Sequence, residues 1–368
     1  MSNTTIQFLS TCIQSNVPVI WWGPPGVGKT AILSGIGESL GFESTVVISL
    51  ATRAPEDVGG LPVPDSDNRA TFRRLMDPVF HRVAEEPTLL VIDELNRSSR
   101  ATMNAALRGI QERTWGDLQM HPGSRIVATG NPSSIDSGAA DLGSAMANRF
   151  AHLSDEPDLG QWFQWLLGGD GATSASSILP ANWETDSLPV ARQLLVGFLT
   201  AKPTLVSGFP KDIVKQGGAW ASRRSWSNAA RLYAAAQSIG DNDLAFRLVA
   251  GTVGEGAALE FLAYCRDADL PNPADILANP LGFKLPARMD QHFAVLGSVV
   301  ALTRKIGDVP SFRACEHVLV EAYNQGARDV ASSSVAMLMQ GNQNMLSPKT
   351  ALVFMPTLQA AGIIGGNK

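Results

Sequence analysis

Between an apolar run and a helix-forming stretch the chain carries GPPGVGKT, residues 23–30. No other feature restricts its fold so strongly. The string is a full GxxxxGK[ST] match, and its four fixed positions would arise by chance in about one chain in a hundred of this length. A phosphate chain needs several backbone N–H groups aimed at it with no side chain in the way. Gly23, Pro24, Pro25, Gly26, Val27 and Gly28 supply such a loop, and a following helix N-terminus adds a positive dipole end. Lys29 then reaches the β- and γ-phosphates of a nucleoside triphosphate, and the Thr30 hydroxyl ligates Mg²⁺. The motif needs a buried strand before it and a helix after it. VPVIWW (17–22) and TAILSGIGESLGF (30–42), with Gly41 as the stop, meet that demand.

The same alternation continues downstream. STVVISL (44–50), TLLVIDEL (88–95) and SRIVATGN (124–131) are compact apolar runs suited to buried parallel strands. Residues 3–16 and 99–112 have helical spacing, residues 53–68 are Gly- and Pro-rich loop, and ANRFAHL begins a helix-to-strand passage. After about residue 157 the pattern becomes helical throughout. DLGQWFQWLL, LPVARQLLVGFLTA, SWSNAARLYAAAQSIG and DLAFRLVAGTVGEGAALEFLAYCRD each read as a helix, with Trp162 and Trp165 on one face of the first. The expected fold is α/β: a P-loop NTPase αβα sandwich with a parallel sheet over 1–156, an all-helical domain over 157–285 and a helical segment over 286–368.

Two further motifs fall at strand ends, where parallel sheets bind ligands. In LLVIDEL the apolar residues hold the strand, Asp93 holds Mg²⁺ through water and Glu94 polarises the attacking water as a general base. The alternative is a pair of solvated acids capping the next helix. In IVATGNP the polar Asn131 could orient that water, against the plainer reading of an Asn-Pro turn. Arg149 in AMANRF and Arg223 and Arg224 in WASRRSW could neutralise charge on a transferring phosphoryl group; the residues alone favour surface ion pairs.

Composition narrows the class. Charged residues are 17% of the 368, a low share that suits large buried surfaces, and the net charge of −5 argues against a nucleic-acid partner. Cys12, Cys265 and Cys315 form no CxxC pair, and the five histidines show no ligand spacing, so no metal beyond magnesium is implied. The N-terminus lacks a basic n-region, and no stretch reaches the roughly 18 apolar residues of a membrane span. The expectation is a cytoplasmic protein without membrane insertion. The Trp21–Trp22 pair reads as core and DLPNPADILANP (269–280) as a helix–helix linker.

GPPGVGKT, LLVIDELNRSS, ATGNP and MANRF, in this order and spacing, resemble the MoxR-type AAA+ ATPases of the dynein-related, magnesium-chelatase-like clade. The resemblance covers roughly 15–155 and continues more loosely to about 265. It implies that Lys29 and Thr30 are Walker A, Asp93 and Glu94 Walker B, Asn131 sensor 1 and Arg149 an arginine finger acting on the neighbouring subunit's ATP. Arg224 rather than Arg223 falls at sensor 2, in the helical lid, although Arg223 stands where proline is usual. Asn148 stands where the family often has Asp, a change expected to matter little. Segments 56–80 and 112–125 resemble the clade's extra segment after the second strand and the hairpin before sensor 1. The resemblance also implies ATP and Mg²⁺ as cofactors, a homo-oligomeric ring, most often a hexamer, and a von Willebrand factor A domain partner. The implied activity is chaperone-like remodelling of a protein substrate or cofactor insertion. A nucleotide-loaded assembly switch with little turnover and a nucleic-acid-associated motor are the alternatives.

Overall fold

The computed structural model describes residues 3–65, 71–154, 163, 166, 167, 177–267, 271–339 and 346–360. Trp162, Trp165 and most of DLGQWFQWLL lie outside the described residues. The described chain divides into two compact units. The first comprises 1–179 and 207–258, the second 180–206 and 259–368.

The first unit is built on a five-stranded sheet. Its strands are β1 (Val19–Trp22), β2 (Ser44–Ser49), β5 (Thr88–Asp93), β8 (Arg125–Gly130) and β9 (Ala151–Ser154). Their order across the sheet is β2-β5-β8-β1-β9, and every pairing is parallel. Parallel strands need helical crossovers, and their near-continuous apolar runs follow from burial on both faces. Val19, Ile20 and Trp21 of β1, and Leu89, Leu90, Val91 and Ile92 of β5, are fully buried. The helices are α1 (Asn3–Gln14), α2 (Lys29–Ser39), α3 (Pro55–Gly59), α4 (Pro78–Glu85), α5 (Arg100–Glu112) and α6 (Ser144–Ala147). This is a P-loop αβα core, followed by a helical C-terminal region.

Two local expectations need correction, and the hairpin expected within 112–125 is present. Residues 53–68 are not loop throughout. Pro55 opens α3 at its first turn, and Leu61–Pro64 forms β3, paired antiparallel with β4 (Phe72–Leu75). Prolines at alternate positions suit such a two-stranded edge, where N–H donors are not all needed. Segment 114–119 is a second hairpin, β6 (Thr114–Trp115) with β7 (Leu118–Gln119). Its turn residue Gly116 lies against Met76 and the Gly59 carbonyl, and Arg74 pairs with Asp117 at 3.6 Å, so the two hairpins meet. Finally, DLAFRLVAGTVGEGAALEFLAYCRD is two helices, not one. Gly254, at φ 89°, breaks it into α10 (Asn242–Val253) and α11 (Glu255–Asp267), after α9 (Arg223–Ser238).

The second unit is helical. It contains α7 (Trp183–Asp186), α8 (Leu188–Ala201), α12 (Pro273–Ala278), α13 (Met289–Ile306), α14 (Val309–Asn324), α15 (Arg328–Met339) and α16 (Pro348–Ala360). Its core is its own, with Val295, Val299, Val318, Leu319, Val335 and Leu338 fully buried. Residues 269–280 include α12, capped by the Asn272 side chain on Ala274 N–H at 3.0 Å.

Candidate nucleotide site

The chain leaves the buried strand β1 at Trp22 and turns through residues 23–28 into α2. The turn needs Gly26 (φ 81°) and Gly28 (φ 83°), in the left-handed region where a Cβ is strained. Gly28 is the N-cap residue of α2 and offers no side-chain cap. The first-turn N–H groups of the helix therefore keep their capacity for an anion. Lys29, the first helical residue, folds back over the loop. Its Nζ donates to the Gly23 carbonyl at 2.7 Å, the Pro24 carbonyl at 2.9 Å and Asn131 Oδ1 at 3.1 Å. The side chain is buried, and desolvation lowers its pKa from the ordinary 10.5, against the opposing pull of Asp93 and Glu94.

β5 and β8 are neighbours, so their C-terminal ends present Asp93, Glu94 and Asn131 to the same loop. Thr30 Oγ1 donates to Asp93 Oδ2 at 3.3 Å, and Thr129 Oγ1 donates to the other Asp93 oxygen. Thr129 also accepts from Glu94 N–H at 3.1 Å. Glu94 sits at φ 51°, uncommon for a residue with a side chain and a mark of functional sites. Arg97 holds its carboxylate at 3.3 Å and reaches Asp136 at 3.7 Å. Asn131 is fixed on all sides. Its Nδ2 donates to Asp136 at 3.0 Å, and its backbone pairs both ways with the Asn96 amide at 2.7 and 3.2 Å. That amide bond, the Gly138 N–H and the Arg97 charge hold the Asp136 carboxyl below the usual carboxylate range.

These residues surround one cavity of about 410 Å³, lined by residues 25–31 with Asp93, Glu94 and Asn131. It combines a cradle of backbone donors, one cation, two carboxylates and an amide. The Thr30 hydroxyl and the Asp93 carboxylate offer hard oxygen donors side by side, a donor set that suits Mg²⁺. Thr129, Asn96, Arg97 and Asp136 were not singled out by sequence reasoning. Thr129, Asn96 and Arg97 fall within the motifs, in the Thr of ATGNP and the Asn-Arg of DELNR, whereas Asp136 lies outside them.

Arg149, Arg223 and Arg224 do not line this cavity. Arg149 follows α6, where its guanidinium donates to the Ala145 carbonyl and Gln111 Oε1. Its Nε is buried without a hydrogen-bond partner among the described residues. Burial lowers its pKa, and the like charge of Arg224 lowers it further. Arg223 and Arg224 are exposed in the first turn of α9, whose N-cap is Ser222. Asn148 ties the two segments. It accepts from Ser222 Oγ at 2.7 Å and donates to the Trp220 carbonyl at 3.1 Å. An ionised aspartate at 148 could not make the second bond.

Trp21 is fully buried, whereas Trp22 is partly exposed and stacks on His152, with ring centroids 6.1 Å apart and an interplanar angle of 15°. Trp22 Nε1 donates to His152 Nδ1 at 3.0 Å, and His152 Nε2 lies 2.9 Å from the Ala147 carbonyl. Burial pushes the His152 pKa down to about 4. No group of three or more His, Cys, Asp or Glu that could hold a metal occurs among the described residues. No helix among them is long and apolar enough to cross a membrane.

The sheet order, the glycine loop and the cavity define a P-loop αβα nucleotide domain. Residues 19–152 match the model of the ATPase family associated with various cellular activities (AAA). Midasin of Giardia intestinalis is 30% identical over 157 residues, which are 41% of this chain but 3% of midasin, so the chain spans a small part of that relative. Among solved structures, a candidate ATPase from Cytophaga hutchinsonii aligns with a TM-score of 0.46 at 17% identity, covering 73% of this chain and 90% of that one. An MCM homologue from Methanopyrus kandleri aligns with a TM-score of 0.37 at 14% identity, covering 71% and 54%.

Proposed function

We propose that this protein is a MgATP-hydrolysing ring ATPase of MoxR type, whose active site is completed by the neighbouring subunit. The observation that carries the reading is the distribution of charge. Lys29, Thr30, Asp93, Glu94 and Asn131 converge on one cavity, while Arg149 and Arg224, on segments tied by the Asn148–Ser222 hydrogen bond, are not among the residues that line it. A site that hydrolyses a phosphoanhydride needs a guanidinium on the developing charge. Among the described residues no arginine lines the cavity, so an arginine of a second copy would supply it.

The chain's own groups have distinct tasks. The backbone N–H groups of the glycine loop and Lys29 bind the phosphates. Thr30 and Asp93 hold Mg²⁺, which when bound neutralises charge on the β- and γ-phosphates. Glu94 polarises the attacking water, and Asn131 orients it. Arg149 and Arg224 serve the adjoining subunit. In this reading residues 1–156 form the nucleotide domain, 157–285 the lid carrying Arg224 and 286–368 a helical extension. The ring is a hexamer in the cytoplasm. The meeting hairpins β3–β4 and β6–β7 face its pore or a partner, and Phe72, Arg73 and Leu75 are exposed for that contact. A von Willebrand factor A domain protein and a protein substrate remodelled by the ring complete the proposal, supported by the motif resemblance.

The test is hydrolysis per subunit against protein concentration, with Mg²⁺. Specific activity should rise with concentration. Glu94→Gln and Arg149→Ala should each lower kcat by about 10³-fold while nucleotide binding persists. Activity that is flat with concentration and survives Arg149→Ala overturns the shared site.

A further inference from the structure

The tryptophan that ends β1 touches all three segments of the site. It directly precedes Gly23 of the phosphate loop. Its ring lies so close to Gly130, the residue before Asn131, that a Cβ there would stand 2.7 Å from the indole. Through His152 it also reaches the Ala147 carbonyl, two residues before Arg149. Indole N–H is only a donor and a carbonyl only an acceptor. One form of His152 satisfies both: neutral, with its proton on Nε2 donated to Ala147 and Nδ1 accepting from Trp22. The ring is thus a strut with a defined direction. Its backbone is fixed as well, because Gly251 of α10 packs so tightly on the His152 carbonyl that a Cβ would stand 2.6 Å away.

We propose that Trp22 and His152 are positioning residues that hold the Arg149 turn in register with the chain's own phosphate loop and Asn131, so that a subunit presents its arginine correctly to the next only while the pair is intact. The inference rests on the shared-site reading given above. His152 touches no reacting atom, and its action runs through the Ala147 carbonyl and the turn that follows.

Two variants break the pair with little change in packing. His152→Phe keeps a stacked ring and removes both hydrogen bonds, and Trp22→Phe removes the donor alone. Each should lower kcat on the order of tenfold or more, since small misplacement of a group remote from the bond being broken can cost that much. Binding of a fluorescent MgATP analogue should change by less than about threefold, a kcat effect without a ground-state binding effect. The double variant should be no worse than the worse single one, because one interaction is lost only once.

Mixed assemblies decide where the defect lies. Arg149→Ala mixed with Glu94→Gln is the control. Each variant lacks what the other supplies, so hydrolysis should return, and failure here overturns the shared-site reading and the proposal with it. When that control works, His152→Phe mixed with Glu94→Gln should regain activity, because the Glu94→Gln subunits present an intact Arg149. His152→Phe mixed with Arg149→Ala should not. The reverse pattern means that His152 supports its own subunit's site, and it overturns the proposal. Rescue by both or by neither, seen for Trp22→Phe as well, also overturns it.

Discussion

A lysine without a carboxylate salt bridge inside 4 Å, held by two carbonyls and an amide, is tuned by its surroundings more than by a single partner. Burial of Lys29 outweighs the attraction of Asp93 and Glu94, so its pKa falls below 10.5. The cation binds phosphate and the neutral amine does not. Nucleotide affinity should therefore weaken as pH rises through a value below 10.5, earlier than an ordinary lysine would allow. Titration of MgATP binding from about pH 7 to about pH 10 checks this, and an affinity constant across that range contradicts it. The residues proposed to carry phosphate chemistry stand out as letters, because such tasks need fixed residue types at fixed spacing. Thr129, Asn96, Arg97 and Asp136 were not. They act on Asp93, Glu94 and Asn131 from positions whose relevance appears only once β5 and β8 lie side by side. The contacts of Asn148 were not legible for the same reason, since its partners Ser222 and Trp220 are distant in sequence.

Strands β1, β2, β5 and β8 are evident from their apolar runs, because both faces of a parallel sheet are covered. The hairpins were less so. β3 carries two prolines and β6 is two residues long, so neither has the alternation that marks a strand. What holds β6–β7 is packing. Trp115 stacks on Phe80 of α4 at 4.8 Å and lies flat over Gly109 of α5. A Cβ at Gly109 would come within 2.4 Å of the indole. Gly109→Ala should improve the intrinsic helix propensity of α5 and yet destabilise the protein by about 1–3 kcal/mol through overpacking. Thermal unfolding measures the sign. A rise in Tm would mean that the hairpin yields and that Trp115 does not anchor it.

Each unit has a separate apolar core, one on the sheet and one among the helices α13, α14 and α15. Calorimetry should resolve two transitions. A saturating nucleotide should raise only the one belonging to the sheet, by about 2.7 kcal/mol at a hundredfold excess over Kd. A single transition that moves as a whole would show the cores to be cooperative. The chain's route between the units was not readable from the sequence, where after residue 157 one helical stretch follows another and the Gly/Ser-rich break at 168–177 does not say which helices pack together. Residues 180–206 belong with the last 110, and 207–258 return to the sheet. That route has a consequence for the ribosome. Helix α8 packs on α13, which begins about ninety residues after α8 ends. At about 5–20 residues per second, the apolar side of α8, with Leu194, Leu195 and Phe198, waits about five to twenty seconds for its cover during synthesis. The nascent chain is therefore most exposed to capture by holdases, or to misassociation with another nascent copy, during that interval.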